Sequence, residues 1–383
     1  MFLALRDLRF ATGRFALMGS VVALISLLLV MLSGLTAGLG GQNTAAIDRL
    51  GEQGVQRLVF GGAADQEPTA SFTQSEFTVA QRDAWAATDG VASVEPLGVS
   101  QGRAIGLEHP VDTDPQGRAD VSGEPTTGVA TTAFIGLTPG GSDAPAGVEP
   151  GQIVLSQDVA DSLHAQAGDA VAVSGFVYTV ADVVPTEYYS HSPVTWLALE
   201  DWNAISHTAD DAVLGTAGLV RFDADADLDA VAAAGDDAAG TVTETVKGSY
   251  AALPSYRSEN GSLMTMQGFL YGISALVVIA FLSIWTVQRT RDIAVLKALG
   301  GSNGWVLKDS LAQAAFVLVG GVAVGTGLAA VIGAFAGRAV PFELSWATTA
   351  VPAAGVLVLG MLAAVVAVFR VTRIDPLVAL GGN

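Results

Sequence analysis

Glu259 is the residue from which chemistry is easiest to build. It is the last charged residue before an uncharged stretch that runs to Arg289, and Met264 and Met266 follow it closely. A carboxylate and a thioether five residues apart lie little more than one turn apart on a helix, so Glu259 and Met264 can share a face. The plainer alternative is a solvated carboxylate favoured by the positive end of a helix dipole, with the two methionines packed in lipid. The four histidines, His109, His164, His191 and His207, show no paired metal spacing, and surface or structural roles suit them. His191, beside Tyr188 and Tyr189, is the reserve candidate for a ligand or a structural hydrogen bond. The tract Asp223, Asp225, Asp227, Asp229 lacks the glycine and the distal glutamate of an EF-hand and reads as a solvated acidic helix start or loop. The 383 residues contain no cysteine, which removes disulfides and thiolate metal sites. No nucleophile and base can be placed together, so no catalytic residue is assigned and no enzyme activity is expected of this chain.

The elements that would position these residues lie largely in lipid. Of the chain, 51% is hydrophobic and 14% charged, and the mean hydropathy is +0.48. A helix crossing the hydrocarbon needs about 20 apolar residues, and four charge-free gaps supply them: Arg14 to Asp48, Glu259 to Arg289, Asp309 to Arg338 and Glu343 to Arg370. The first could pass for a secretory signal, but its apolar run well exceeds the roughly 7 to 15 residues of a signal core. The expected fold is therefore an α-helical membrane protein with four transmembrane helices in a 1+3 order. A mixed α/β extracytoplasmic domain is inserted between the first and second. The expected boundaries are 1–39 for the N-terminus and first helix, 40–262 for the inserted domain with helical stalks, and 263–287 for the second helix. A cytoplasmic segment over 288–308, the third helix over 309–336, an outer loop over 337–346, the fourth helix over 347–370 and a tail over 371–383 complete the chain.

Within the inserted domain the stretch Ile153–Val184 is the most legible. It reads as a strand at Ile153–Leu155, a helix over Gln157–Ala165, a Gly168-Asp169 turn, a strand at Val171–Val173, a turn near Gly175 and a strand over Val177–Val183. Gln42–Gln56 reads as helical, a continuation of the first span. The N-terminus, the 288–308 segment and the tail, with Asp309 and Arg370 at their edges, together carry nine basic and four acidic residues, +5, against −24 for the remainder. The positive-inside rule therefore puts both termini in the cytoplasm. The net charge of −19 argues against nucleic acid as a partner. Gly321 and Gly325 form a G-x-x-x-G in the third span, where packing is the default role and dimerisation the alternative.

The cytoplasmic segment reads Gln288-Arg-Thr-Arg-Asp-Ile-Ala-Val-Leu-Lys-Ala-Leu-Gly-Gly-Ser302, a short helix and a Gly-Gly break that could dock in a partner's groove or be an ordinary interfacial loop. Its core, Arg291 to Gly300, resembles the signature of FtsX/MacB-type permeases of ABC transporters, and the tail Arg373–Leu380 resembles that family's ending. The resemblance implies a homodimer with two copies of a separate cytoplasmic ATPase, in agreement with the missing G-x-x-x-x-G-K-[ST] loop. Arg291, Asp292, Leu296, Lys297, Leu299 and Gly300 would then form the ATPase-coupling element, ATP would be bound by the partner, and the chain would have no cofactor of its own. Three further segments are similar to the heme-exporter (HrtB-like) branch: Ala4–Arg9 with Gly13–Phe15, Tyr189–Trp196, and Ser255–Asn260 before Met264–Phe269. That branch implies export of heme, or a similar amphipathic toxic molecule, from a bacterial plasma membrane whose lipid is itself a partner. Glu259, Met264, Met266 and His191 would be the heme or substrate residues, with Glu259 toward the heme iron. The alternatives are efflux of lipids, lipoproteins or antibiotics, or a non-transporting transmitter that regulates a wall hydrolase or sensor.

Overall fold

The computed structural model describes residues 12–62, 67–206, 210, 212–288 and 303–372. Its contacts divide into two units, Gly40–Glu259 and the pair of segments Met1–Leu39 and Asn260–Asn383.

In the first unit the chain leaves helix α1 (Thr12–Glu52) through a glycine. Gly54 takes φ +94 and the Val55 N–H reaches back to the Leu50 carbonyl at 3.1 Å, a left-handed cap that a residue with a Cβ would adopt only under strain. Beyond it come β1 (Arg57–Phe60), β2 (Phe77–Thr78), α2 (Val79–Ala86), β3 (Val91–Leu107), β4 (Thr126–Leu137), β5 (Gln152–Ser156), α3 (Gln157–Leu163), β6 (Ala170–Val173) and β7 (Phe176–Val184). They are followed by β8 (Tyr188–Tyr189), β9 (Ser192–Ala198), α4 (Leu199–Ile205), β10 (Val213–Gly215), β11 (Ala217–Phe222), α5 (Leu228–Ala239) and β12 (Val242–Thr245).

The 17-residue strand β3 belongs to two structures. Its first part, Val91–Leu97, pairs with β11 in an antiparallel sheet ordered β12-β1-β11-β3. Its second part pairs with β4, and Ala104–Gly106 also pairs with β6, so that β3-β4-β9-β5-β7-β6 closes on itself. Closure leaves no free edge in that six-stranded ring. Ile153, Leu155, Phe134, Val171 and Tyr178 fill one core under α3 and α4. Trp85, Phe77 and Phe222 fill another. A third core joins Ala46, Ile47 and Leu50 of α1 to Leu97, Ile135, Tyr189 and Trp196. Three apolar residues at helical spacing thereby hold the end of α1 on the sheet. The acidic tract ends as a helix cap, since Asp227 accepts from the Ala230 N–H at 3.2 Å at the start of α5.

The second unit contains the N-terminal part of α1, most of α6 (Pro254–Gln288), α7 (Asn303–Ala336) and α8 (Trp346–Thr372). Four described helices are long and apolar enough to cross a membrane. Phe15, Met18, Val22, Ile25 and Leu29 of α1 pack with Val278, Leu282, Val317, Leu318, Val356 and Ala364. Gly321 and Gly325 are used inside the chain: a Cβ at Gly325 would stand 2.1 Å from the Ala23 carbonyl oxygen, and one at Gly321 2.9 Å from that of Gly19. The G-x-x-x-G of α7 thus admits the backbone of α1 rather than that of a second copy.

Candidate functional site

Tyr188–Tyr189 and Ser192–Pro193 form a two-residue hairpin whose turn is Ser190-His191. Both turn residues are left-handed, φ 47 and 64. That is the type I′ geometry, for which hairpins prefer Asn-Gly, and a residue with a Cβ holds it only where the surroundings over-determine it. Helix α1 supplies those surroundings. The Ser190 N–H donates to the Asn43 carbonyl at 3.1 Å and the His191 N–H to the Gln42 carbonyl at 2.9 Å.

The turn aims the imidazole at the second turn of α6. His191 Nε2 lies 3.0 and 2.9 Å from the two carboxylate oxygens of Glu259. Asn43 Nδ2 donates to Glu259 Oε2 at 3.2 Å and lies 3.0 Å from His191 Nε2. Asn43 Oδ1 accepts from Ser255 Oγ at 2.7 Å, and Ser190 Oγ lies 2.8 Å from Ser255 Oγ. The side chains of His191 and Glu259 are 31% and 39% exposed, so a ligand can reach them, whereas Asn43 is buried. The arrangement offers one carboxylate and one imidazole from elements far apart in sequence. Among the described residues no group of three or more His, Asp and Glu side chains is placed to hold a metal ion.

A second polar feature follows along α1. Gly41, Ala45, Asp48 and Glu52 line, with Glu187, a groove of about 480 Å³ that neither Glu259 nor His191 reaches. Arg49 lies 3.5 Å from Glu187 and 4.5 Å above the buried Trp196 ring, a cation–π contact. Burial pushes the Glu187 carboxyl above its ordinary 4.5, the Arg49 charge pulls it down and Glu52 adds to the rise. Between the ordinary and the raised value the folded chain holds a proton that the unfolded chain has lost, so stability falls as pH rises through that window. Glu187→Gln is expected to reduce the loss of thermal stability of the full chain as pH rises from the ordinary carboxyl value to neutrality. Identical slopes for the two proteins would show that burial of this carboxyl carries no penalty.

Of the residues singled out in the sequence, His191 and Glu259 stand together. Met264 and Met266 lie further along α6 and are 58% and 54% exposed. His109 is exposed, and His164 caps α3 in a left-handed conformation. His207, together with Arg291, Asp292, Leu296, Lys297, Leu299 and Gly300, lies outside the described residues. Sequence reasoning missed Asn43, Ser190 and Ser255. Ser190 falls within Tyr189–Trp196 and Ser255 opens Ser255–Asn260, so both lie in legible segments, but Asn43 sits in a helix with no motif around it.

Residues 264–376 match the family described as FtsX-like permease C-terminal. The chain is 22% identical over 387 aligned positions, covering all of both chains, to a Staphylococcus epidermidis protein named as a putative hemin transport system permease protein, HrtB. Two solved domains overlap it structurally. The extracellular domain of the noncanonic ABC-type transporter YknZ from Gram-positive bacteria has a TM-score of 0.33 and 13% identity, over 50% of this chain and 98% of that one. The periplasmic region of MacB from Actinobacillus actinomycetemcomitans has a TM-score of 0.32 and 12% identity, over 50% and 89%.

Proposed function

From a chain that carries an FtsX-like permease C-terminal domain over residues 264–376 and is an ABC-type permease, we propose that it exports heme, or a similarly amphipathic toxic molecule, from a bacterial cell membrane. A separate ATPase supplies the ATP hydrolysis. The observation that carries the substrate is the end-to-end alignment with a protein named for hemin transport. Glu259 and His191 are the accessible oxygen and nitrogen donors, and Met264 and Met266 are exposed thioethers on α6; imidazole and thioether are donor types that heme iron accepts from proteins. In this reading both termini and the 288–308 segment are cytoplasmic and the acidic 40–259 unit is outside, a sidedness that the charge asymmetry supports.

Two copies act together with two ATPases, and α6 is the span through which the copies meet. Only 17% of its apolar window is buried within the chain, against 33 to 39% for the other three spans. Phe269, Ile273 and Leu276 are exposed at three- and four-residue spacing, and a Cβ added at Gly268 or Gly272 would meet nothing within 4 Å. Such an open pair of glycines lets a second helix approach closely. The cysteine-free sequence makes a clean test. Ile273→Cys in α6 is expected to give an oxidised, disulfide-linked dimer in the membrane, whereas Ile332→Cys, also exposed but on α7, remains monomeric. Equal cross-linking at both positions, or none at either, would remove α6 as the seam.

The function is tested by hemin. Cells lacking the protein are expected to become hemin-sensitive, and the purified dimer to bind hemin with a Soret band distinct from that of free hemin. Unaltered tolerance together with no binding would remove heme while leaving an ABC-type permease. Altered antibiotic susceptibility would then favour drug or lipid efflux.

A further inference from the structure

We propose that Asn43 is a positioning residue that sets whether Glu259 is open to a ligand, by holding its carboxylate against His191. The inference rests on the reading of Glu259 as a donor to hemin iron and adds how that donor is guarded. Asn43 is 1% exposed in the interior of α1, where a buried amide is retained only if its hydrogen bonds are made. Its orientation is set from one side. Ser255 gives its single hydroxyl hydrogen to Asn43 Oδ1 at 2.7 Å, so Ser190 is the donor in the 2.8 Å contact between the two serines. The amide nitrogen is thereby turned toward Glu259 and His191.

Counting protons sets the rest. An amide nitrogen only donates, and an ionised carboxylate only accepts. His191 Nε2 lies 2.9 and 3.0 Å from the carboxylate oxygens and 3.0 Å from Asn43 Nδ2, so in its Nε2–H form the ring donates to the carboxylate and only packs against the amide nitrogen. In that state Nε2 has no lone pair to offer a metal, and Glu259 already accepts from both Nε2–H and Nδ2–H. A ligand drawing on the lone pairs that face His191 and Asn43 competes with bonds that Asn43 organises. The same residue anchors the strained turn, since its backbone carbonyl accepts from the Ser190 N–H. Side chain and backbone of Asn43 thus tie α1, the hairpin and the start of α6 at one point. A shift of α1 by one residue along its axis, about 1.5 Å with a turn of about 100°, would undo both ties.

The test uses the full-length protein in lipid nanodiscs titrated with hemin. Asn43→Leu, close in size but without donors, is expected to tighten hemin binding about tenfold, the scale of one hydrogen bond to a charged group. The wild-type Soret band should be kept, and the gain should vanish in a Glu259→Gln background. Should Asn43→Leu fail to fold, Ser255→Ala, which releases the amide from its fixed orientation, is expected to act in the same direction with a smaller gain. If Glu259→Gln weakens hemin while neither Asn43→Leu nor Ser255→Ala changes its affinity, Asn43 is a packing residue and the proposal is overturned. If Glu259→Gln itself has no effect on hemin, the donor reading and the guarding role fall together.

Discussion

Glu259→Ala is expected to weaken hemin binding by at least about tenfold, the loss that follows even when only an outer partner of a metal ligand is removed. The purified protein should also show a displaced Soret band, and cells carrying the variant should lose hemin tolerance. Glu259 is the carboxylate that meets the His191 turn, and both of its oxygens lie within 3.0 Å of the imidazole nitrogen. Removing it also leaves His191 Nε2 and Asn43 Nδ2 without their shared acceptor. Glu259→Gln keeps the volume and one acceptor oxygen but not the charge, so it separates iron ligation from maintenance of the hydrogen-bond cluster. The idea is sunk if Glu259→Ala binds hemin with the wild-type affinity and spectrum.

Gly325→Leu is expected to cost the membrane unit about 3 kcal/mol, the upper range for forcing atoms into a packed interior, and to cut the yield of folded protein. The first added carbon would stand 2.1 Å from the Ala23 carbonyl oxygen and 2.9 Å from Ser26 Cβ. The obstacle is backbone, so no rotamer change relieves it. The internal control is Gly320→Leu, on the same helix, where a Cβ meets nothing within 4 Å. Thermal unfolding in detergent should separate the two clearly. If both variants unfold at the wild-type temperature, α1 and α7 are not packed through this face.

Local patterns made part of the molecule legible. The apolar spans stand out because lipid admits only long uncharged helices, and the second of them shows why a boundary drifts. Hydropathy places its start at residue 263, yet α6 begins at Pro254. The nine residues between are polar and carry no apolar signal, while proline suits the first helical position, where its missing N–H costs nothing. The run from Ile153 to Val184 was readable for a similar reason. Gly168 and Gly175, at φ +95 and +84, mark turns that glycine accepts without strain. The helix predicted to reach Ala165 stops at Leu163 because His164 turns left-handed, φ 51, which residue type alone does not announce.

Nothing local shows that β3 serves two sheets or that β6 returns to it and closes a ring. Strand pairing is a contest among all available edges, decided by the packing of the whole domain.

The order of residues along the chain was enough to mark four apolar spans and to give Glu259 the place of last charge before one of them. Those are properties of composition along a line, and transfer free energy reads them directly. What Glu259 meets was settled only by folding. His191 is 68 residues away and Asn43 216, and the three come together because a strained turn is pinned to the carbonyls of one helix while its side chain reaches the start of another. Such a cluster exists only after non-local pairing has fixed each backbone, so residue type and spacing could nominate His191 and Glu259 separately but could not join them.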